Sequence, residues 1–217
     1  VLKSEKSAAA WSAGLACLHG QPWPAISATW TRAAAHRSPE VRLAAADLLG
    51  RYATVAPDES WSSLLDDKHS QVVVASLQSI REHSFPLSQL GSIKALMQHD
   101  NYQIRVAAAG SLAKHGYVTG TAALERFALD DDVRVRRLAA RQFGALKAIQ
   151  HSGILIDMLD DESSVSLVAL AALTQIVGDR SPDFAGDTQS QRIRRWKRWY
   201  RQRQRKQRVA PTRRGQQ

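Results

Sequence analysis

Apolar residues return along this chain at nearly constant intervals. Leu18, Leu49, Ile80, Leu112, Phe143 and Leu173 stand 31, 31, 32, 31 and 30 residues apart. A second series, Trp30, Trp61, Ile93, Leu124 and Leu155, interleaves with the first at steps of 31, 32, 31 and 31. A fixed period of this length marks stacked supersecondary units, each too small to bury its apolar face alone. Within a period the finer spacing is helical: Val41, Ala44, Ala45 and Leu49 fall at i, i+3, i+4 and i+8, a stripe on one helix face. Segments 40–49 and 103–112 share this pattern closely, and 72–80, 135–143 and 165–173 follow it. Each period therefore predicts two helices, a B helix carrying the first series and an A helix carrying the second. Small alanines in the B stripe let neighbouring helices approach closely.

The punctuation agrees with the period. Gly20, Gly50, Gly116 and Gly178 are placed to close helices, and Pro22, Pro57, Pro86 and Pro182 lie soon after the end of a B helix. Glycine tolerates the left-handed residue after a helix, and proline cannot continue one. Between A and B helices sit polar turns with N-cap residues: Ser38-Pro39, 67–70, Asp100-Asn101, 130–132 and 160–164. Carboxylates there suit the positive end of the B-helix dipole.

Three of these turns run into an Asp-x-x-x-Val-Arg-x-x-Ala-like segment: Asp100 with Ile104-Arg105-Val106-Ala107, Asp131 with Val135-Arg136, and Ser38-Pro39-Glu40-Val41-Arg42. Over residues 7–178 the chain thereby resembles the HEAT-like repeats, in particular the short bacterial form named after phycobilisome lyases. The resemblance implies an all-α fold, a right-handed α-solenoid of HEAT-like helix pairs (an α-α superhelix). It is nearly silent on function, because such arrays serve as scaffolds, adaptors, lyases and nucleic-acid binders. Val73 and Ser166 stand where the pattern has arginine, so the ladder of Asp and Arg is interrupted. Arg42, Arg105 and Arg136 have two readings in such a fold. They bond to the acidic turn of their own or the next repeat, or they stand exposed on the concave B-helix face as partner-binding residues.

Charge divides the chain sharply. The net charge is +10, yet from residue 188 onward there are 12 Lys and Arg and no Asp or Glu, which leaves 18 basic and 20 acidic residues before that point. The repeat region is thus close to neutral and the basic character belongs to the C-terminal end. There, 189–206 reads as a helix with Ile193, Trp196, Trp199 and Tyr200 on one face, and its Trp-x-x-Trp segment resembles the ending of many bacterial HEAT-like proteins. The expected organisation is a repeat solenoid over 1–187 (five and a half repeats, the first truncated), a basic capping helix over 188–206 and a disordered basic tail over 207–217. Capping needs few of the cations. Arg194, Arg195, Lys197, Arg198, Arg201, Arg203, Arg205 and Lys206 are therefore candidates for binding an anionic partner, nucleic acid or an acidic protein surface, with affinity that falls as salt rises.

No residue set points to catalysis or to a cofactor. The seven histidines form no His-Glu dipeptide of the kind the iron-dependent hydroxylases of HEAT-like fold use, and no His-x-x-x-His spacing. His36, His69 and His99 recur near the A-to-B turns, too far apart by helix-packing distance to share a metal. A DNA-glycosylase groove would need an acidic partner beside Trp11, Trp30 or Trp61, which read as packing residues instead. Lyase activity is implied by the family's name alone, and no residue is found to carry it. The single cysteine, Cys17, excludes an intramolecular disulfide and is expected as a buried, inert thiol. No apolar stretch is long enough for a membrane span.

The chain opens without an initiator Met or a signal-peptide core, almost directly on a B-type helix at 7–19 whose A partner is reduced to Val1-Leu2-Lys3. It reads as a fragment or processed product, cytoplasmic, or exported if a leader has been removed. The function expected is non-catalytic: a scaffold or adaptor that holds a protein partner through the repeat surface and the basic end. A nucleic-acid-binding module relying on residues 188–217 is the alternative, and a lyase-type HEAT-repeat enzyme component is the second alternative, implied by the resemblance alone.

Overall fold

The computed structural model describes residues 7–52, 55–83, 87–183 and 185–209, and among them every regular element is helical. The order is α1 (Ala8–Ala16), α2 (Trp23–Ala34), α3 (Pro39–Gly50), α4 (Asp58–Leu65), α5 (Ser70–Glu82), α6 (Leu90–Leu96), α7 (Tyr102–Lys114), α8 (Val118–Phe127), α9 (Val133–Leu146), α10 (Ser152–Asp157), α11 (Ser163–Val177) and α12 (Gln189–Val209). This is an α-solenoid in which A and B helices alternate from α2 to α11. Local chemistry sets the boundaries. Pro22 and Pro57 stand at the N-caps of α2 and α4, and Pro39 opens α3 where no helical N–H is needed. Asn101 and Asp132 accept the N–H of Gln103 at 2.9 Å and of Arg134 at 2.8 Å, capping α7 and α9.

The helices fall into two compact units, Val1–Ala123 and Leu124–Gln217, with the boundary inside α8. In the first unit the B helices α1, α3, α5 and α7 pack in order, and α2, α4 and α6 form the A layer beside them. In the second, α9 packs along α11, and α10 and α12 lie against α11.

One seam organises each B helix. Its residues at i, i+4 and i+8 are Val41, Ala45 and Leu49 in α3, Val72, Ser76 and Ile80 in α5, and Ile104, Ala108 and Leu112 in α7. In α9 they are Val135, Ala139 and Phe143, and in α11 Val165, Ala169 and Leu173. All fifteen are at most 1 % exposed. Each large apolar member contributes about 1.5–3 kcal/mol of transfer free energy. The middle member is always Ala or Ser, so the helix axes come close at the centre of the contact; Ser76 satisfies its hydroxyl on the Val72 carbonyl at 2.9 Å. Two glycines mark the tightest approaches. A Cβ at Gly50 would lie 2.0 Å from Ser79 Oγ, and one at Gly144 would lie 2.9 Å from the Cα of Ala172.

The first member of the apolar series behaves differently. Helix α1 ends at Ala16, three residues before the expected boundary, and a turn follows that closes on Gly20 at φ +84°. The buried face of α1 is made by Trp11 and Leu15, whereas Leu18 is half-buried and lends its carbonyl to Tyr52 Oη at 3.1 Å. Cys17, expected to be buried, is exposed, because the early end of α1 leaves it at the C-cap and off the buried stripe. Residues 1–3, expected as the remnant of a preceding helix, lie outside the described residues.

Helix α12 extends to Val209, past the expected end at 206, and residues 210–217 lie outside the described residues. It touches α10 and α11 much as α4 touches α2 and α3, so it takes the place of the next A helix. Trp196 is its anchor, fully buried, with Trp199 edge-on at 5.3 Å and 73°. Removing a buried tryptophan from such a site costs about 3–5 kcal/mol. Trp196→Ala is therefore expected to lower the midpoint of thermal unfolding markedly, whereas the half-buried Trp199 replaced by Ala has the smaller effect; circular dichroism melts of the two variants check the ranking.

Candidate functional site

The A-to-B turns repeat one small device. A side-chain acceptor takes the N–H of the residue two positions on: His36 Nδ1 from Ser38 at 3.0 Å, Asp67 Oδ1 from His69 at 2.8 Å, His99 Nδ1 from Asn101 at 2.9 Å and Asp130 Oδ1 from Asp132 at 2.9 Å. Six residues after the acceptor, in three of these turns, stands an arginine whose Nη1 donates to the turn's own carbonyls. Arg42 reaches those of His36 and Arg37 at 2.7 and 3.2 Å, Arg105 those of His99 and Asp100 at 2.9 and 2.8 Å, and Arg136 those of Asp130 and Asp131 at 2.9 and 3.0 Å. The recurring histidines are thus turn acceptors, or in His69 a neighbour of Arg42 at 2.9 Å.

The other edge of the guanidinium links repeats. Arg42 donates from Nε and Nη2 to Asp67 at 2.5 and 2.9 Å, and Arg136 does the same to Asp161 at 2.7 and 2.8 Å. Both aspartates are 25 residues downstream, and they belong to the repeats in which Val73 and Ser166 replace the arginine. Those two departures have a physical reason: both side chains are buried, and their turns receive the arginine of the preceding repeat. Of the two roles open to Arg42, Arg105 and Arg136, bonding to a turn or standing on a binding face, these hydrogen bonds belong to the first. Arg42 is 5 % exposed, and Arg105 and Arg136 are half-buried with their donors directed at turn atoms.

Helix α12 sorts its cations by face. Arg192 pairs with Asp183 and Arg195 with Asp187, both at 2.9 Å, and Lys197 pairs with Asp160. Arg203 lies over the Trp199 ring at 5.7 Å. Of the other cations on the helix, Arg194, Arg198, Arg201, Arg205 and Lys206 are exposed and have no acidic partner among the described residues. Arg194, Arg198, Arg201 and Arg205 recur at alternating steps of four and three, a single stripe about 16 Å long at 1.5 Å per residue. Near its start Gln191, Arg194, Arg195 and Arg198 line a pocket of about 210 Å³.

Residues 90–176 match the family model of HEAT repeats. Over those 87 of its 217 residues the chain carries HEAT-like repeats. The match is to HEAT repeats in general and does not reach the phycobilisome-lyase form. No curated protein matches the chain significantly. The described residues hold no group of three or more His, Cys, Asp and Glu arranged to bind a metal ion, and no helix long and apolar enough to cross a membrane.

Electrostatics support the division between structural and free cations. Burial pushes the Asp67 carboxyl up, but the hydrogen bonds from Arg42 and from the His69 N–H outweigh it, and the carboxyl titrates below its ordinary value. Arg136 lowers Asp161 in the same way, and the two arginines are raised in turn, chiefly by their aspartates. Asp132, which accepts from Arg134 and caps α9, falls to about 2. Just before α12, burial raises the Asp183 carboxyl, but the hydrogen bond from Arg192 leads the interactions that outweigh it, and the carboxyl titrates below its ordinary value.

The linkage has a definite sign. A depressed folded-state pKa stabilises above the unfolded carboxylate value of about 3.9, and the gain disappears as pH falls through the lower folded value. Arg42→Ala leaves the 7 %-exposed side chain of Asp67 without its cation, which costs about 3–5 kcal/mol at pH 7. Urea unfolding of wild type and Arg42→Ala at pH 7 and pH 3 is expected to show the difference shrinking at the lower pH, where Asp67 of the variant takes up a proton.

Proposed function

We propose that this HEAT-like repeat protein is a non-catalytic scaffold or adaptor that engages a macromolecular partner, with the outer stripe of α12 as its anion-recognising surface. HEAT repeats commonly serve protein interaction. With Arg42, Arg105 and Arg136 committed to the turns, the weight of recognition passes to Arg194, Arg198, Arg201, Arg205 and Lys206. The observation that carries this reading is their lack of any acidic partner on a helix whose inner cations are all engaged. A rigid helix held by a buried tryptophan presents these side chains in fixed register. Cationic side chains that have no acidic partner and repel one another along one stripe suit an external anion.

The leading partner is an acidic protein surface. A second reading, nucleic acid, draws on the composition of the stripe: four of its five cations are arginine, whose planar fork suits phosphate oxygens, and no acid follows residue 188 to repel a backbone. Such contacts position a nucleic acid and do not read its bases.

The test replaces Arg194, Arg198, Arg201 and Arg205 together by Glu and titrates both proteins, across salt, with polyglutamate and with single- and double-stranded oligonucleotides. Wild type is expected to bind at low salt, and the variant to lose at least tenfold while unfolding as wild type does, since exposed substitutions away from such contacts change stability by about 0.5 kcal/mol or less. Binding of polyglutamate that persists toward physiological salt favours the protein partner. A steeper salt dependence with oligonucleotide favours the second reading. Undiminished binding by the variant, or none by wild type, overturns the assignment to α12.

A further inference from the structure

The second unit contains a groove that the reading above does not use. It has a volume of about 840 Å³ and lies between residues 125–131, at the end of α8 and its turn, and residues 154–161 of α10 and the turn after it. Its wall is apolar: Ala128, Leu129, Ile154 and Met158 line it. Leu129 is 83 % exposed, the most exposed of the large apolar side chains among the described residues. A leucine held open to water in the mouth of a groove leaves transfer free energy unrealised until something covers it.

The rim determines what that occupant is. Glu125, Asp130, Asp131, Asp157, Asp160 and Asp161 surround the apolar wall, with Arg136 the only cation lining it. Three of these acids already have partners: Asp161 has Arg136, Asp160 has Lys197, and Glu125 has His151 at 3.4 Å. Asp130, Asp131 and Asp157 have no cationic side chain within ion-pair distance among the described residues, and Asp131 and Asp157 are exposed. The groove therefore offers an apolar slot with three carboxylates around it, Asp130, Asp131 and Asp157, that have no ion-pair partner among the described residues.

We propose that this groove docks a Lys/Arg-rich segment of a partner protein that carries one large apolar side chain. The apolar anchor covers Leu129 between Ile154 and Met158, and flanking cations pair with Asp130, Asp131 and Asp157. The exposed stripe of α12 from a second copy is a poorer occupant, since Arg194, Arg198, Arg201 and Arg205 bring charge with no apolar side chain among them. General attraction is no substitute either: the whole chain is +10 and repels a cationic peptide on average, so binding requires a local site. The inference names a second partner surface within the scaffold reading, yet it rests on different residues from those of α12.

The experiment uses the full chain and a fluorescein-labelled peptide of sequence Gly-Lys-Arg-Leu-Arg-Lys-Gly, followed by fluorescence anisotropy. Three changes are compared: the same peptide with Ser for Leu, the double variant Asp131→Lys/Asp157→Lys, and the variant Leu129→Ser. All three altered protein residues are exposed, so the variants are expected to fold, which circular dichroism verifies. Each change is expected to weaken binding about tenfold or more, equivalent to 1.4 kcal/mol. The α12 variant Arg198→Glu/Arg201→Glu is expected to bind the peptide at least as well as wild type, which keeps the result separate from the fate of the anion-binding reading. Equal affinity for the leucine and serine peptides, undiminished binding by Asp131→Lys/Asp157→Lys, or no binding by wild type overturns the proposal.

Discussion

Within each compact unit the fold depends on one steric constraint, the close approach of neighbouring B helices along a seam whose central residue is always small. Ala45, Ser76, Ala108, Ala139 and Ala169 hold that position, flanked one turn away on either side by residues buried as completely. A larger residue there would push the axes apart and open gaps on both sides, because packed interiors lack free volume to take up the change. Gly50 and Gly144 extend the same rule to the next residue along the seam, where even a Cβ would collide with the neighbouring helix. Close stacking within a unit brings the turn of Arg42 within reach of that of Asp67, and the turn of Arg136 within reach of that of Asp161.

At that distance the arginine bridge becomes geometrically available. A guanidinium has donors on two edges, so Arg42 and Arg136 satisfy the carbonyls of their own turn with one and clamp the carboxylate of the following repeat with the other. The bridge is directional and cannot serve a turn that already holds its own arginine in the same place. It appears where the next repeat has Val73 or Ser166 instead. An apparent gap in the ladder is thus the point where two repeats are joined by charge as well as by packing.

The two ends of the second unit's chemistry follow from the same layout. Because α12 takes an A-helix position, one face must pack and the other must meet water, and the sequence distributes cations to both. The inner ones are neutralised by Asp183, Asp187 and Asp160. The outer ones are left as a positive stripe, while the turns of α8 and α10 gather carboxylates around an apolar slot. Two surfaces of opposite sign on one unit fit the scaffold reading proposed above.

What the sequence determined by itself was the periodic part. The 31-residue return of apolar residues, the 3.6-residue spacing within each B helix and the polar turns between helices were enough to read the repeat class, because they repeat and each copy reinforces the others. The aromatic face of α12 was legible for the same reason. Single-copy features were not. The end of α1 at Ala16, and with it the exposure of Cys17, was decided by a local turn that no other repeat echoes. The role of Arg42 and Arg136 was open in the sequence between an exposed binding residue and a turn bridge, and only the approach of residues 25 apart resolved it. The groove around Leu129 left no trace at all. Its acids look like ordinary helix-cap carboxylates along the chain, and they become one rim only when stacking sets the α8 and α10 turns side by side. Periodicity encodes which faces are buried, whereas the surface that remains is defined by neighbours in space.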